Sequence, residues 1–210
     1  MPGHFEPVPG GGAAIALDDV EVSILRSLAV QLMELIGPGD EPVEGEDPLA
    51  ALFAEGPSEA PSDPALARLF PDAYRGPSTE SGSKSEAEEE ELRAASAEFR
   101  RFTENDLRTG KRQNAFAMVR ALDSLAGAGE AGAVLELTPD DARCWLGTLN
   151  DLRLTIGTRL EIAEDDEGGA GGDPTGGLYQ LPDSDPRKPM VMAYLWLGVL
   201  QETLVETLMG

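Results

Sequence analysis

Residues 86–125 read "EAEEEELRAASAEFRRFTENDLRTGKRQNAFAMVRALDSL", and the fold turns on whether this is one long helix. Its opening acids suit the positive end of a helix dipole. Leu92, Ala95, Phe99 and Phe102 then recur at alternating intervals of three and four residues, the spacing of a packing seam. Carried forward, the same register meets Asp106, Thr109 and Gln113 before it reaches Phe116. The seam thus turns polar midway, which makes Asp106, Thr109 and Gln113 candidates for a polar core. Either the helix breaks near Gly110, or it runs on through a polar notch.

The notch coincides with a concentration of positive charge. Arg93, Arg100, Arg101, Arg108, Lys111, Arg112 and Arg120 make up seven of the sixteen Lys and Arg, in a chain of formal net charge −23. They scatter over more than one helical face, with Glu98, Glu104 and Asp106 close enough for pairing along the helix. One reading is a charged helix whose bases neutralise an acidic molecule, or hold a polar centre together through Arg-carboxylate pairs. The other is a docking surface for an acidic partner or a phosphate group, with guanidinium forks giving directional hydrogen bonds. Arg100, Arg101, Arg108, Lys111 and Arg112 are the partner-binding candidates.

Working outward, "DDVEVSILRSLAVQLMELIG" places Leu25, Leu28, Leu32 and Ile36 on one helical face, with Gly37-Pro38 as the stop. "TPDDARCWLGTLNDLRLTIGTRLEI" is a further helix, with Thr138 as N-cap, Pro139 in the first turn and Asp141 at the capping-box position. Trp145, Leu149, Leu152, Ile156 and Leu160 form its buried face. A last helix within "DPRKPMVMAYLWLGVLQETLVETLMG" is apolar over most of its length, which predicts that it is covered on most sides. The segments "DPLAALFA" and "DPALARLFPDAY" each put Asp-Pro before a short apolar turn and read as short helices.

Two short extended runs flank the Gly triplet of "HFEPVPGGGAAIAL", compatible with a hairpin that Pro7 and Pro9 restrict to an edge. A shift of 120 residues lays Ile15 on Leu135, Leu17 on Leu137, Leu25 on Trp145 and Gly37 on Gly157. Any two capped helices of equal length show such an echo. If it reflects the fold, Ala14–Leu17 and Val134–Leu137 pair in one small sheet.

The expected fold is therefore mainly α: one compact helical domain over residues 1–210, with about four major helices, short helices and a small N-terminal β element. Residues 38–85 and 163–184, rich in Gly, Pro and acids, read as flexible insertions. An excess of 39 Asp and Glu over 16 Lys and Arg repels phosphate backbones and anionic lipid, which disfavours direct nucleic-acid or membrane binding. No stretch has the form of a signal peptide or reaches the roughly 20 apolar residues of a membrane span, so a cytoplasmic location is expected.

One cysteine, Cys144, and one histidine, His4, exclude an intramolecular disulfide and remove support for a multi-cysteine metal site or a Ser-His-Asp triad. The acidic loop "EIAEDDEGG" lacks the ligand spacing of a calcium-binding loop. No metal, cofactor or catalytic residue is assigned. Cys144 is the redox candidate, with Arg143 tending to lower its thiol pKa and Asp140 and Asp141 to raise it; a small core residue is the ordinary alternative.

In order along the chain, "LDDVEVSILRSLAVQLMELI", "DPALARLFPDAY", "EFRRFTENDLRTGKRQNAFAMVRAL", "LTPDDARCWLGTLNDLRLTIGTRL" and "AYLWLGVLQETLVE" resemble one actinobacterial family, the oxidative stress transcription regulator AosR family, formerly a family of unknown function. "RFTENDLR" and "WLGTLNDLRL" carry the resemblance most specifically. It implies a non-enzymatic cytoplasmic regulator of redox-linked transcription. With no DNA-reading motif visible, a protein partner such as a sigma factor or a polymerase-associated subunit is expected. The family name suggests thiol sensing, yet a chain with one cysteine cannot form an internal disulfide. The alternative function is a thiol-dependent sensor that forms a homodimer through Cys144. An enzyme acting on a small anionic substrate at the basic notch is less supported, since no acid-base pair is visible.

Overall fold

The computed structural model describes residues 3–37, 55–74, 86–125, 132–162 and 181–210. The segment "DPLAALFA", most of the two Gly-rich acidic insertions and the turn before Ala133 lie outside the described residues. Elements follow in the order β1 (Glu6–Val8), β2 (Gly12–Leu17), α1 (Asp19–Ile36), α2 (Pro64–Leu69), α3 (Glu86–Asp123), β3 (Ala133–Leu137), α4 (Pro139–Arg159) and α5 (Lys188–Met209). The fold is mainly α, as the periodicity predicts, with a three-stranded antiparallel sheet of order β1-β2-β3.

The sheet joins the two ends of the sequence echo. Ile15 lies opposite Leu135, with Ala13 opposite Leu137 and Leu17 opposite Ala133. Because the strands are antiparallel, the pair matched by the 120-residue shift sits at the centre of the register and the others fan out about it. Alternation puts Ala13, Ile15, Leu17, Leu135 and Leu137 on the buried face. β1 is the outer strand of the hairpin, where Pro7 leaves no ladder bond unmade in a central position. Gly12 is required: a Cβ there would stand 2.2 Å from the Leu137 carbonyl oxygen.

Each strand of the central pair runs into a capped helix. Asp18 and Glu21 form a reciprocal capping box at the start of α1, and Gly37 closes its end. Thr138 accepts from the Asp141 amide at the start of α4. The predicted faces are the buried ones: Leu25, Leu32 and Ile36 on α1, and Trp145, Leu149, Leu152, Ile156 and Leu160 from α4 onward. Trp145 is edge-on to Phe5 at 6.0 Å, which ties the chain's beginning to α4. α2 begins where its Asp-Pro signal places it, capped by Asp63, and its end delivers Leu69 and Phe70 into the core.

α3 takes one of the two alternatives that its sequence leaves open, and α5 differs from expectation. α3 is continuous from Glu86 to Asp123 and does not break at Gly110. α5 is not covered on most sides: Val191, Leu197, Leu200 and Leu204 are buried, but Met190, Met192 and Val199 are exposed. Among the described residues it packs on α4 and against β1 and β2.

Candidate functional site

The apolar seam read from α3 is real in its periodicity and faces the solvent. Phe99, Phe102 and Phe116 are 45 %, 60 % and 51 % exposed, and Asp106, Thr109 and Gln113 are exposed between them. The polar-core assignment of Asp106, Thr109 and Gln113 is therefore corrected: they lie on the outer side of the helix. The buried side consists of Ser96, Arg100, Glu104, Ala115, Met118, Val119 and Leu122. Sequence reasoning followed the larger apolar residues, whereas this part of the helix turns Arg100 and Glu104 inward.

Those inward charges form a network. Arg100, 5 % exposed, binds Glu104 one turn on, donates to the Phe70 carbonyl at 3.0 Å and pairs with Asp72 at 2.8 Å. Burial opposes its charge, but Asp72 and Glu104 more than offset this and hold its pKa above the usual value. Arg108 approaches Glu104 from the other side, with Nε at 2.9 Å and a terminal nitrogen at 2.7 Å, and also donates to the Ile36 carbonyl. Its guanidinium lies 4.6 Å over the Phe70 ring. Arg112 donates to the carbonyls of Met33 and Gly37 at 3.1 and 2.7 Å. Lys111 pairs with the buried Asp151 of α4 at 2.6 Å. Burial raises the Asp151 pKa, and Lys111 only partly opposes this.

Four of the five partner-binding candidates, Arg100, Arg108, Lys111 and Arg112, thus have internal roles. They lock α3 to the ends of α1 and α2 and to the middle of α4. The fifth, Arg101, lies 3.4 Å from Glu55 and 4.9 Å over the Phe102 ring. Glu104 and Asp151 are the buried carboxylates of this network, which sequence reasoning did not place in the interior. The signal for Glu104 is the i, i+4, i+8 spacing of Arg100, Glu104 and Arg108.

Beside this network is a notch of about 30 Å³, walled by Phe70 and Pro71 on one side and Phe99, Thr103 and Leu107 on the other. That is space for one water molecule, not for a substrate. A hollow of about 240 Å³ lies over the outer face of the sheet between Gly3, His4, Glu6, Ala14 and Val134. Cys144 is a half-buried free thiol in α4. Among the described residues no group of three or more His, Cys, Asp or Glu is arranged to hold a metal ion, and no helix is long and apolar enough to cross a membrane.

Residues 2–208 match the family described as "Domain of unknown function (DUF2017)". The chain belongs to the DUF2017 family. This chain is 32 % identical over 192 residues to proteins named "Oxidative stress regulator AosR" from Mycobacterium bovis and Mycobacterium tuberculosis, covering 90 % of this chain and 79 % of theirs. No solved structure matches this DUF2017 chain. The naming of these relatives supports a regulatory role.

Proposed function

We propose that this DUF2017 protein is a non-enzymatic regulator of the oxidative stress response that acts on transcription through a protein partner, such as a sigma factor or a polymerase-associated subunit. The similarity to the mycobacterial regulators over 90 % of the chain supports the regulatory part of this reading. The observation that carries the partner is the uncovered row of apolar side chains on α3. Phe99 and Phe102, with Tyr74 edge-on to Phe99 at 6.0 Å, stand exposed on a helix whose other side is locked in place. A rigid helix with one bare apolar face is built to receive another protein surface.

Deletion of the gene in its native host, followed by transcript profiling before and after peroxide, tests the regulatory reading. The expected result is a changed set of peroxide-responsive transcripts, with transcription-machinery proteins retained on the tagged full-length chain. An unchanged peroxide response in the deletion strain overturns it.

A further inference from the structure

The exposed stripe on α3 has the spacing of a coiled-coil seam. Glu88, Leu92, Ala95, Phe99, Phe102 and Asp106 follow one another at intervals of four, three, four, three and four residues along an unbroken helix. That places them on one side, the arrangement through which two helices pack side by side. Phe99 and Phe102 are large and exposed at its centre, and Leu92 and Ala95 are half-exposed beside them. The opposite side of the same helix is fixed by Arg100 and Glu104. Rotation of α3 to bury the stripe would carry this ion network into solvent, so an occupant must come to the helix.

The residues flanking the stripe specify the charge of that occupant. In this register Glu89, Glu91 and Glu98 occupy the positions beside the seam, and all three are exposed. In side-by-side helices these positions face the flanking positions of the partner and set its charge. The single base of the opening turns, Arg93, already pairs with Glu90. Further along α3, Arg100 and Arg108 are drawn inward, and Arg101, which lies over the Phe102 ring, is paired with Glu55. The flanks of this stripe thus carry the opposite sign to the Arg100–Arg112 cluster that the sequence suggested for an acidic partner.

We propose that the Leu92–Phe102 face of α3 binds a basic amphipathic helix of a partner protein, one with apolar residues at alternating three- and four-residue spacing and Lys or Arg in the flanking positions. The proposal rests on the reading that this protein works through a partner, and it names the chemistry of that partner's docking element. The apolar row provides the contact area, and Glu89, Glu91 and Glu98 select the basic flanks and speed encounter.

The test uses the full-length chain and a synthetic helix of three heptads with Leu in the seam and Lys in the flanks. Two control peptides have the same composition with scrambled spacing, or Glu in place of Lys. The expected result by fluorescence anisotropy is binding of the first peptide at physiological salt, at least tenfold weaker binding of both controls, and a loss of tenfold or more in Phe99→Ala/Phe102→Ala and in Glu91→Lys/Glu98→Lys. Both pairs are surface changes, and circular dichroism verifies that the helices persist. Equal binding of the scrambled peptide, or no effect of the Phe pair, overturns the proposal.

Sedimentation at the same concentrations examines the second copy as occupant: a dimer that the Phe pair converts to monomer overturns the proposal. Failure of the intact chain to bind the peptide, as when a segment of the chain itself covers the stripe, overturns it too. Placing the Phe pair in the native host separates this proposal from the functional reading. A deletion phenotype that the Phe pair does not reproduce counts against the docking face alone, and absence of any deletion phenotype counts against the regulatory reading.

Discussion

Arg108 reaches from α3 to the carbonyl of Ile36, the last residue of α1. α1 has no basic residue in its own last turn, so a neighbouring helix supplies the donor that its unmet carbonyls need. The same guanidinium holds Glu104 through two nitrogens. Arg108→Ala is expected to cost about 2–3 kcal/mol in urea unfolding, less than the roughly 3–5 kcal/mol of a fully buried pair, because 18 % of its side chain stays exposed.

Glu104 is the more sensitive member of the network. It lies between Arg100 and Arg108 and is almost wholly buried. Glu104→Ala leaves Arg100 with Asp72 and the Phe70 carbonyl and Arg108 without a carboxylate, and the expected loss is about 3–5 kcal/mol. Asp106→Ala, two residues on but facing solvent, is expected to change stability by no more than about 0.5 kcal/mol. Equal effects of the two substitutions would mean that the helix has the opposite face buried.

This contrast shows why part of the fold was legible and part was not. On α1 and α4 the buried side chains are apolar, so the three-and-four spacing of Leu25, Leu32 and Ile36, or of Trp145, Leu149, Leu152 and Ile156, marks the inner face directly. On the first half of α3 the rule inverts. Arg100 and Glu104 can be interior because each finds an opposite charge there, whereas Phe99, edge-on to Tyr74, and Phe102 stay largely exposed. Periodicity locates a stripe but does not say whether the rest of the chain covers it. α5 shows the same limit, since Met192 and Val199 are exposed on a helix rich in apolar residues. The strand pairing was legible because the echo and the antiparallel register share Ile15 and Leu135 as their centre.

Gly12 tests that register. A methyl group at this position meets the Leu137 carbonyl oxygen at 2.2 Å and the Val8 side chain at 3.1 Å. The first contact is with backbone and cannot be relieved by a rotamer change. Gly12→Ala is expected to destabilise the protein by about 1–3 kcal/mol through displacement of β2 from β3. Ala14→Gly, on the outer face of the same strand, is expected to cost roughly 0.5–1 kcal/mol. Thermal unfolding of the two variants gives the comparison.

Cys144 is expected to be dispensable for partner capture. Its thiol is half-buried in α4, on a different helix from the apolar stripe of α3. Cys144→Ser and the parent chain should retain the same proteins from oxidised and from reduced lysate, and neither should form a disulfide-linked dimer on non-reducing electrophoresis. Loss of capture on reduction, abolished by Cys144→Ser, would restore the thiol-dependent reading.

Asp151 gives the protein a pH dependence of unusual sign for a carboxylate in an ion pair. Burial raises its pKa above the ordinary value despite the Lys111 ammonium at 2.6 Å. Unfolded, the group loses its proton near the reference value of about 3.9. Between that value and the raised native one, the folded chain binds more protons than the unfolded chain, so this group's contribution to stability falls as pH rises through the window. Asp151→Asn removes the titration and leaves the half-buried Lys111 free to reach water. Because the other carboxylates titrate equally in both proteins, the stability of the parent relative to Asp151→Asn should be greatest below pH 4 and decline as pH rises from there. Urea unfolding of both proteins at intervals from pH 4 to pH 7 measures that difference. A relative stability that instead increases with pH would mean that Lys111 outweighs burial and holds the Asp151 carboxylate ionised in the fold.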